Sequence, residues 1–398
     1  MSTLILQGGY KVTYKDCKIV YVFNEEFLKY DFGPAHPLRP ERQLLTYKLL
    51  EALKFFEIDR IRLEKPEMAT MEDLRLFHTS EYIERVKRLS ELGYGLLDLG
   101  DTPAFKGMFE ASAIRVGATL TAIRLVMNGI CDHAFNFSGG LHHARSNQGA
   151  GFCVFNDIAV GIKYLKRNYP SIERIAVVDV DAHHGDGTQY AFYDDPSVLT
   201  ISLHEDGRFL YPGTGFVSEI GTGTAVGTSL NVPLPPGTFN DAYLLAFNEI
   251  VPTALKTFMP DIIIQQFGVD THFSDPLTDF MLTNHVYAKI AGTMHKIVHE
   301  ICDGRYVILG GGGYNPEATA RSWAIVFSKI AGVDLPEKTP AEWRDFCLKK
   351  YGIRTSDTIF DTEYHGPSSD KRKFLIEAVK RVVEEVKERV LPLIPERK

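Results

Sequence analysis

The nine residues "DVDAHHGDG" at 179–187 hold three aspartates and two histidines. All five side chains can ligate a divalent metal, and all five can carry protons. Asp179, Asp181 and His183 stand two apart, so an extended backbone turns them to one face. That face continues the side of Ile175 and Val177, which reads as buried. An ionised carboxylate there is very costly unless a cation or a set of donors meets it, and a metal answers that need. Aspartate oxygen with imidazole nitrogen suits Zn2+ or another first-row ion such as Fe2+, whereas Ca2+ asks for more oxygens and no imidazole. A third protein ligand must come from elsewhere, and Asp270, closing "DIIIQQFGVD", is the natural candidate. Two aspartates and one histidine leave positions open for water and substrate, the mark of a catalytic site. Their negative charges offset that of the ion, so bound water is acidified less than by three neutral histidines, and a base is needed nearby. "LHH" at 141–143 supplies His142 and His143, which the remaining carboxylates can orient and make more basic. His184 points away from His183 along an extended chain and is expected to pack or hydrogen-bond behind the site.

These residues need elements that carry them to one place. In open α/β sheets, ligands bind outside the carboxyl ends of the strands. Apolar runs at 133–137, 174–180, 197–203, 261–267 and 305–311 each lead into a polar or glycine-rich ending: "SGGLHHARSNQGAGFCVFND", "DVDAHHGDG", "SLHEDG", "QQFGVDTHFSDP" and "GGGGYN". A further run occupies 18–23, and helical spacing fills 112–129, 156–167, 241–258 and 284–302. Continuous apolar strands alternating with helices predict an α/β fold: a single open, mostly parallel β-sheet with helices on both faces. One catalytic domain is expected over 1–332. Residues 333–398 read as an extension of loops around a short helix, ending in an amphipathic helix. Leu375, Val379, Val382, Val386 and Val390 form its apolar stripe, which is expected to pack on the catalytic domain.

The formal net charge of −7 leaves no basic footprint for direct nucleic-acid binding. No apolar run reaches the roughly 18 residues of a membrane span, and the amino terminus does not read as a secretory signal. Five widely spaced cysteines without C-x-x-C indicate reduced thiols and a cytoplasmic protein. His133, His204, His285, His295, His299 and His365 read as ordinary satisfied polar residues, and His36 and His78 as shaping loops. "GGGGY" lacks the spacing of a nucleotide loop, "GTGTAVGTS" at 221–229 reads as a flexible connection, and nothing marks Cys153 as a nucleophile.

The motifs "GPAHPLRPER" (33–42), "FHTSEYI" (77–83), "GGLHHA" (139–144), "GFCVFND" (151–157), "DVDAHHGDG", "YPGTG" (211–215), "GVDTHFSDP" (268–276) and "GGGGYN" (310–315) occur in order. Together they resemble those of the histone deacetylase family, in the class I-like branch that includes bacterial and archaeal acetoin-utilisation deacetylases. The resemblance implies the arginase/deacetylase fold and zinc-dependent hydrolysis of acetyl-lysine in proteins. It implies zinc on Asp181, His183 and Asp270, with His142 paired to Asp179 and His143 to Asp186. His143 is then the main general base and acid, His142 acts electrostatically, and Tyr314 donates a hydrogen bond to the substrate carbonyl. Gly151, Phe152 and Tyr211 would line a narrow lysine tunnel, and Asp101 would grip the substrate backbone at its rim. Arg42 matches an arginine beside an internal acetate channel. A structural K+ would sit on Asp179, Asp181, His183, Ser202 and Leu203. Tyr211 departs from the phenylalanine that many members carry. Leu277 stands where polyamine-selective relatives tend to carry glutamate, which fits acetyl-lysine better than a polycation. The substrate is expected to be an acetylated protein, the alternative being a small acetylated amine such as an acetylpolyamine. His272 speaks against a binuclear manganese ureohydrolase, which needs a carboxylate there. The intact set of ligands, base and tyrosine speaks against an inactive acetyl-lysine-binding module.

Overall fold

A strand covered on both faces has no side left for polar residues, and the central apolar runs are buried along their whole length. The computed structural model describes residues 4–5, 11–12, 17–362 and 366–397; His365 lies outside them. A short antiparallel pair, β1 (Leu4–Ile5) and β2 (Lys11–Val12), precedes the main sheet. That sheet contains β3 (Ile19–Val22), β4 (Ile61–Glu64), β5 (His133–Asn136), β6 (Ile175–Asp179), β7 (Val198–Glu205), β8 (Ser229–Leu234), β9 (Ile262–Gln266) and β10 (Tyr306–Leu309). Their order is β4-β3-β5-β10-β9-β6-β7-β8, and every neighbouring pair is parallel. The expected mostly parallel sheet is thus wholly parallel among the described residues.

Helices α1 (Glu41–Ala52), α2 (Met71–Leu74), α3 (Ser80–Leu92), α4 (Met108–Met127), α5 (Asp157–Asn168) and α6 (Asp186–Ala191) fall in the first half. Helices α7 (Asn240–Phe258), α8 (Asn284–Ile301), α9 (Pro316–Ala331), α10 (Ala341–Tyr351) and α11 (Ser369–Arg389) follow. They pack in two sets, α3 with α4 and α5, and α1 with α7 to α11. The four stretches with helical spacing appear as α4, α5, α7 and α8. No helix among the described residues is long and apolar enough to cross a membrane.

The edge strands β4 and β8 lie outside the expected apolar runs. β4 exposes Arg62 and Leu63, so it carries no continuous apolar signal. β8 contains Asn231 and Pro233 and starts at the end of the glycine-rich stretch 221–229, after a 3-10 turn at Gly223–Ala225. Proline is tolerated at a sheet edge because no further strand needs its amide. Helix α11 covers this edge, packing over α7 and β8. Its buried stripe is Leu375, Val379, Val383, Val386 and Val390. Val383 replaces Val382, which is only half-buried, because the helix faces its neighbours slightly rotated from the expected stripe.

Trp343 on α10 is fully buried, and its Nε1 donates to the Leu45 carbonyl of α1 at 2.9 Å. Trp343→Ala therefore leaves a large cavity and an unpaired carbonyl, and should cost roughly 3–5 kcal/mol of stability. A denaturant titration monitored by circular dichroism measures this. An unchanged midpoint would show that residues 333–398 do not stabilise the fold through α10.

Candidate active site

The strand order β5-β10-β9-β6-β7 makes neighbours of the five strands whose endings are polar, so those endings form one rim. Within it, the parallel register sets Asp179 on β6 between Ser202 on β7 and Gln266 on β9. The chain beyond β6 delivers Asp181 and His183, and the chain beyond β9 delivers Asp270. All three are buried, and each offers a donor atom within 4.8 Å of the others. His183 Nδ1 stands 2.8 Å from Asp270 Oδ2 and 3.2 Å from Asp181 Oδ1. Ligands about 2.0–2.1 Å from a tetrahedral ion lie about 3.3 Å apart, so this triangle matches a first-row metal.

The second oxygen of each carboxylate is anchored. Gln266 Nε2 donates to Asp181 Oδ2 at 2.6 Å, the Gly312 amide donates to the same oxygen at 2.7 Å, and the Ala182 amide donates to Asp270 Oδ1 at 2.8 Å. Burial and the neighbouring Asp181 charge push the Asp270 carboxyl well above the usual range. Burial opposes charge on Asp181 too, but His142 and His183 hold it well below the usual range, and two carboxylates in one dry site favour a cation between them.

Two histidine–aspartate pairs flank this cluster. His142 Nδ1 lies 2.7 Å from Asp179 Oδ2, and His143 Nδ1 lies 2.8 Å from Asp186 Oδ1. Asp186 sits in the first turn of α6, and Arg145 reaches its other oxygen at 3.4 Å. The two rings meet through their Nε2 atoms at 3.1 Å. Burial disfavours charge on both. At His142 the carboxylates of Asp179 and Asp181 outweigh burial and raise the pKa to about 9. At His143 burial and the charge of His142 prevail over Asp186, and the pKa falls to about 4. Side by side, one imidazole is held cationic and the other neutral.

Tyr314 lies between β10 and α9, its ring 6.2 Å from His183 and 5.6 Å from Phe152. The Asn315 cap and Pro316 start α9 immediately after it, and Asp275 Oδ2 accepts its amide at 2.7 Å. Burial, with the charges of Asp270 and Asp181, pushes its pKa well above the ordinary tyrosine value, so its hydroxyl keeps its proton. Tyr211, 42% exposed, has its ring 5.1 Å from that of His143. Gly151 has φ +51, and a Cβ there would meet His143 Cδ2 at 2.5 Å and Tyr211 Cε1 at 2.9 Å. Only glycine lets the wall that carries Phe152 approach the histidine so closely.

The other expected residues are placed as follows. Asp101 is exposed on a loop whose Thr102 Oγ1 accepts the Phe152 amide at 3.1 Å. Leu277 is half-buried beyond Asp270, its amide donating to Asp275 Oδ1 at 3.0 Å. Arg42 is buried, donates to the Gly313 carbonyl at 3.0 Å, and lies 5.3 Å over Trp323. The Ser202 hydroxyl contacts His204 at 2.8 Å, and the Leu203 carbonyl lies 3.5 Å from the Tyr243 hydroxyl. His184 bonds Thr214 and Gln189. His272 is held by Asp361 and Ser274, both at 2.9 Å. Burial raises the Cys153 thiol far above the ordinary value, away from nucleophilic use.

The sequence reading missed three supports. Gln266 was visible only as a polar pair ending an apolar strand. Asp157 receives the amides of Gly140 and Leu141, at 3.1 and 2.8 Å, and so shapes the loop before His142. Asp275 holds Tyr314 and Leu277 together. By contrast, His133, His295 and His299 do not stand separately, because the fold gathers them with Cys17.

The histone deacetylase domain family matches residues 36–330. Over 333 residues the chain is 41% identical to the "Acetoin utilization protein AcuC" of Bacillus subtilis (strain 168), covering 81% of this chain and 85% of that protein. It is 37% identical over 338 residues to the protein of the same description from Staphylococcus aureus (strain MRSA252), covering 82% and 85%. It is 39% identical over 316 residues to a "Probable deacetylase" of Archaeoglobus fulgidus, covering 79% and 86%.

Because Gln266 donates to Asp181 from behind, Gln266→Leu should weaken divalent-metal binding at the Asp181–His183–Asp270 triangle by about 10–100-fold while the fold persists. Competition with a chromophoric chelator measures the affinity. An unchanged value would remove Gln266 from this supporting role.

Proposed function

Since this chain belongs to the histone deacetylase family and is a hydrolase, we propose that it hydrolyses N-ε-acetyl-lysine in proteins to lysine and acetate as a zinc-dependent amidohydrolase. The observation that carries this reading is the placing of His143, fixed by Asp186 with its ring 6.0 Å from that of His183 in the Asp181–His183–Asp270 triangle. Those three residues would hold the ion, and Fe2+ suits the same donors. When bound, the metal supplies a Lewis acid that polarises the amide carbonyl and acidifies a water.

Asp186 can only accept from His143, so the His143 proton sits on Nδ1 and Nε2 keeps its lone pair. Nε2 takes a proton from the attacking water and returns it to the amine nitrogen as the C–N bond breaks, since an amide anion is too basic to leave. His142, charged beside Asp179, favours the negative charge that develops on the substrate. The Tyr314 hydroxyl donates to the carbonyl oxygen as it becomes an oxyanion. Gly151, Phe152 and Tyr211 line the path of the lysine side chain, Asp101 holds the substrate backbone, and Leu277 presents an apolar surface that disfavours a polycation. Arg42 serves the departing acetate. Asp179, Asp181, His183, Ser202 and Leu203 would hold a structural K+.

Relative kcat/KM on an acetyl-lysine peptide and on acetylputrescine tests the substrate. Preference for acetylputrescine would replace the protein substrate with a small acetylated amine. His143→Ala should lower kcat about 10²–10⁴-fold, and Tyr314→Phe about 10²–10³-fold. Near-normal turnover by metal-loaded His143→Ala would reject its role.

The pH profile follows from the two rings. His143 works when neutral, and its pKa is lowered to about 4, so activity rises with pH through that acid limb. His142 works when charged, and its pKa is raised to about 9, so its contribution fades as pH rises through that value. The kcat/KM profile should be a plateau between two limbs, and His142→Ala should remove the alkaline one. A single limb at the ordinary histidine value would reject the assignment.

A further inference from the structure

At the end of the sheet opposite the active site, four side chains from three separate stretches of the sequence converge. Cys17 leads into β3, His133 opens β5, and His295 and His299 stand one turn apart on α8. The i,i+4 spacing puts both rings on one helix face. The register aligns His133 with Ile19 on β3 and Tyr306 on β10, so the cluster lies at the strands' amino ends. The catalytic residues lie at or beyond the carboxyl ends.

Cys17 Sγ lies 3.3 Å from His299 Nε2 and 4.0 Å from His295 Nε2, and His299 Nε2 lies 3.2 Å from His133 Nε2. One donor atom from each of the four residues falls within 4.8 Å of all the others. A tetrahedral zinc, with Zn–N of about 2.0–2.1 Å and Zn–S of about 2.3 Å, separates its nitrogens by about 3.3 Å and its sulfur from nitrogen by about 3.6 Å. The two sulfur–nitrogen spacings bracket the second value, and the nitrogen–nitrogen spacing lies close to the first. Three ring centroids 4.9–5.0 Å apart, set at steep angles to one another, surround a common point rather than stacking.

We propose that Cys17, His133, His295 and His299 bind a second ion, a structural Zn2+ held by one thiolate and three imidazoles. Four protein ligands close the coordination shell, which suits a structural site and leaves no position for substrate. The site clamps the carboxyl end of α8 to the amino ends of β3 and β5. Its surroundings are shaped for the rings. Gly304, with φ +77 in the turn from α8 to β10, seats against His299, where a Cβ would come 2.9 Å from Cε1 and 3.1 Å from Nδ1. Cys17, His133 and His295 are buried and His299 is half-buried.

The test is a titration of the metal-stripped full-length protein with Co2+. A near-ultraviolet thiolate-to-cobalt charge-transfer band reports this site alone, because the Asp181–His183–Asp270 triangle contains no sulfur. The band should saturate by two equivalents, vanish in Cys17→Ser, and persist in Asp181→Asn, where a single equivalent saturates it. Zinc content by mass spectrometry of the native protein should then fall from two ions per chain to one in either variant. Absence of the band in the wild-type protein, or its survival in Cys17→Ser, would overturn the proposal and leave a hydrogen-bonded thiol–imidazole cluster. The wild-type titration needs no variant to fold.

Discussion

Four carboxylates, Asp179, Asp181, Asp186 and Asp270, lie buried under one rim of the sheet, and an unpaired buried charge is the costliest feature a fold can hold. Much of the architecture answers that cost. Placing β9 beside β6 puts Gln266 against Asp181, and placing β10 beyond β9 lets the Gly312 amide reach the same oxygen. Asp186 opens α6, where free amides favour a negative charge. Each carboxylate keeps one face for a structural donor and turns the other to an imidazole. The rim is therefore rigid before any ligand arrives, as a preorganised site requires.

The same burial acts on two adjacent imidazoles with opposite results. His142 faces Asp179 with Asp181 behind it, whereas His143 faces Asp186 alone and has the charged His142 as its neighbour. With Nε2 atoms 3.1 Å apart, both rings cannot be protonated together without strong repulsion. Charge on the first ring therefore maintains neutrality on the second. The division of labour between two identical side chains comes from which aspartate each one meets.

Much of this was legible in the sequence because the relevant geometry is local. The period-two spacing of Asp181 and His183 fixes a shared face, and strand endings announce themselves by the change from apolar to polar residues. What was not legible depends on contacts across the chain. Cys17 meets His295 across 278 positions, and nothing near any of the four residues announces that meeting, so the three histidines read as ordinary polar residues. Gln266 gains its meaning only from the register of β9 against β6. The edge strands β4 and β8 escaped because exposure on one side, or a proline, removes the continuous apolar signal. At α11 the amphipathic period was clear, but the choice of Val383 over Val382 depends on the surface it meets.

The two clusters at opposite ends of the sheet differ in a way that follows from their donors. Asp181, His183 and Asp270 bring two potential negative charges and three ligands, so an ion there is neutralised yet incompletely surrounded. Cys17, His133, His295 and His299 bring one ionisable thiol and four ligands, so an ion there is fully enclosed and retains positive charge. An open position is what a reaction needs, and a closed shell is what a clamp needs. The parallel sheet makes both possible because all its carboxyl ends lie on one side and all its amino ends on the other. The ligands of the first cluster lie on loops after the strands, whereas His133 is itself the first residue of a strand and His295 and His299 are fixed on a helix. Donors fixed on regular elements hold a shape, and that is the reason to assign the second cluster to stability and the first to catalysis.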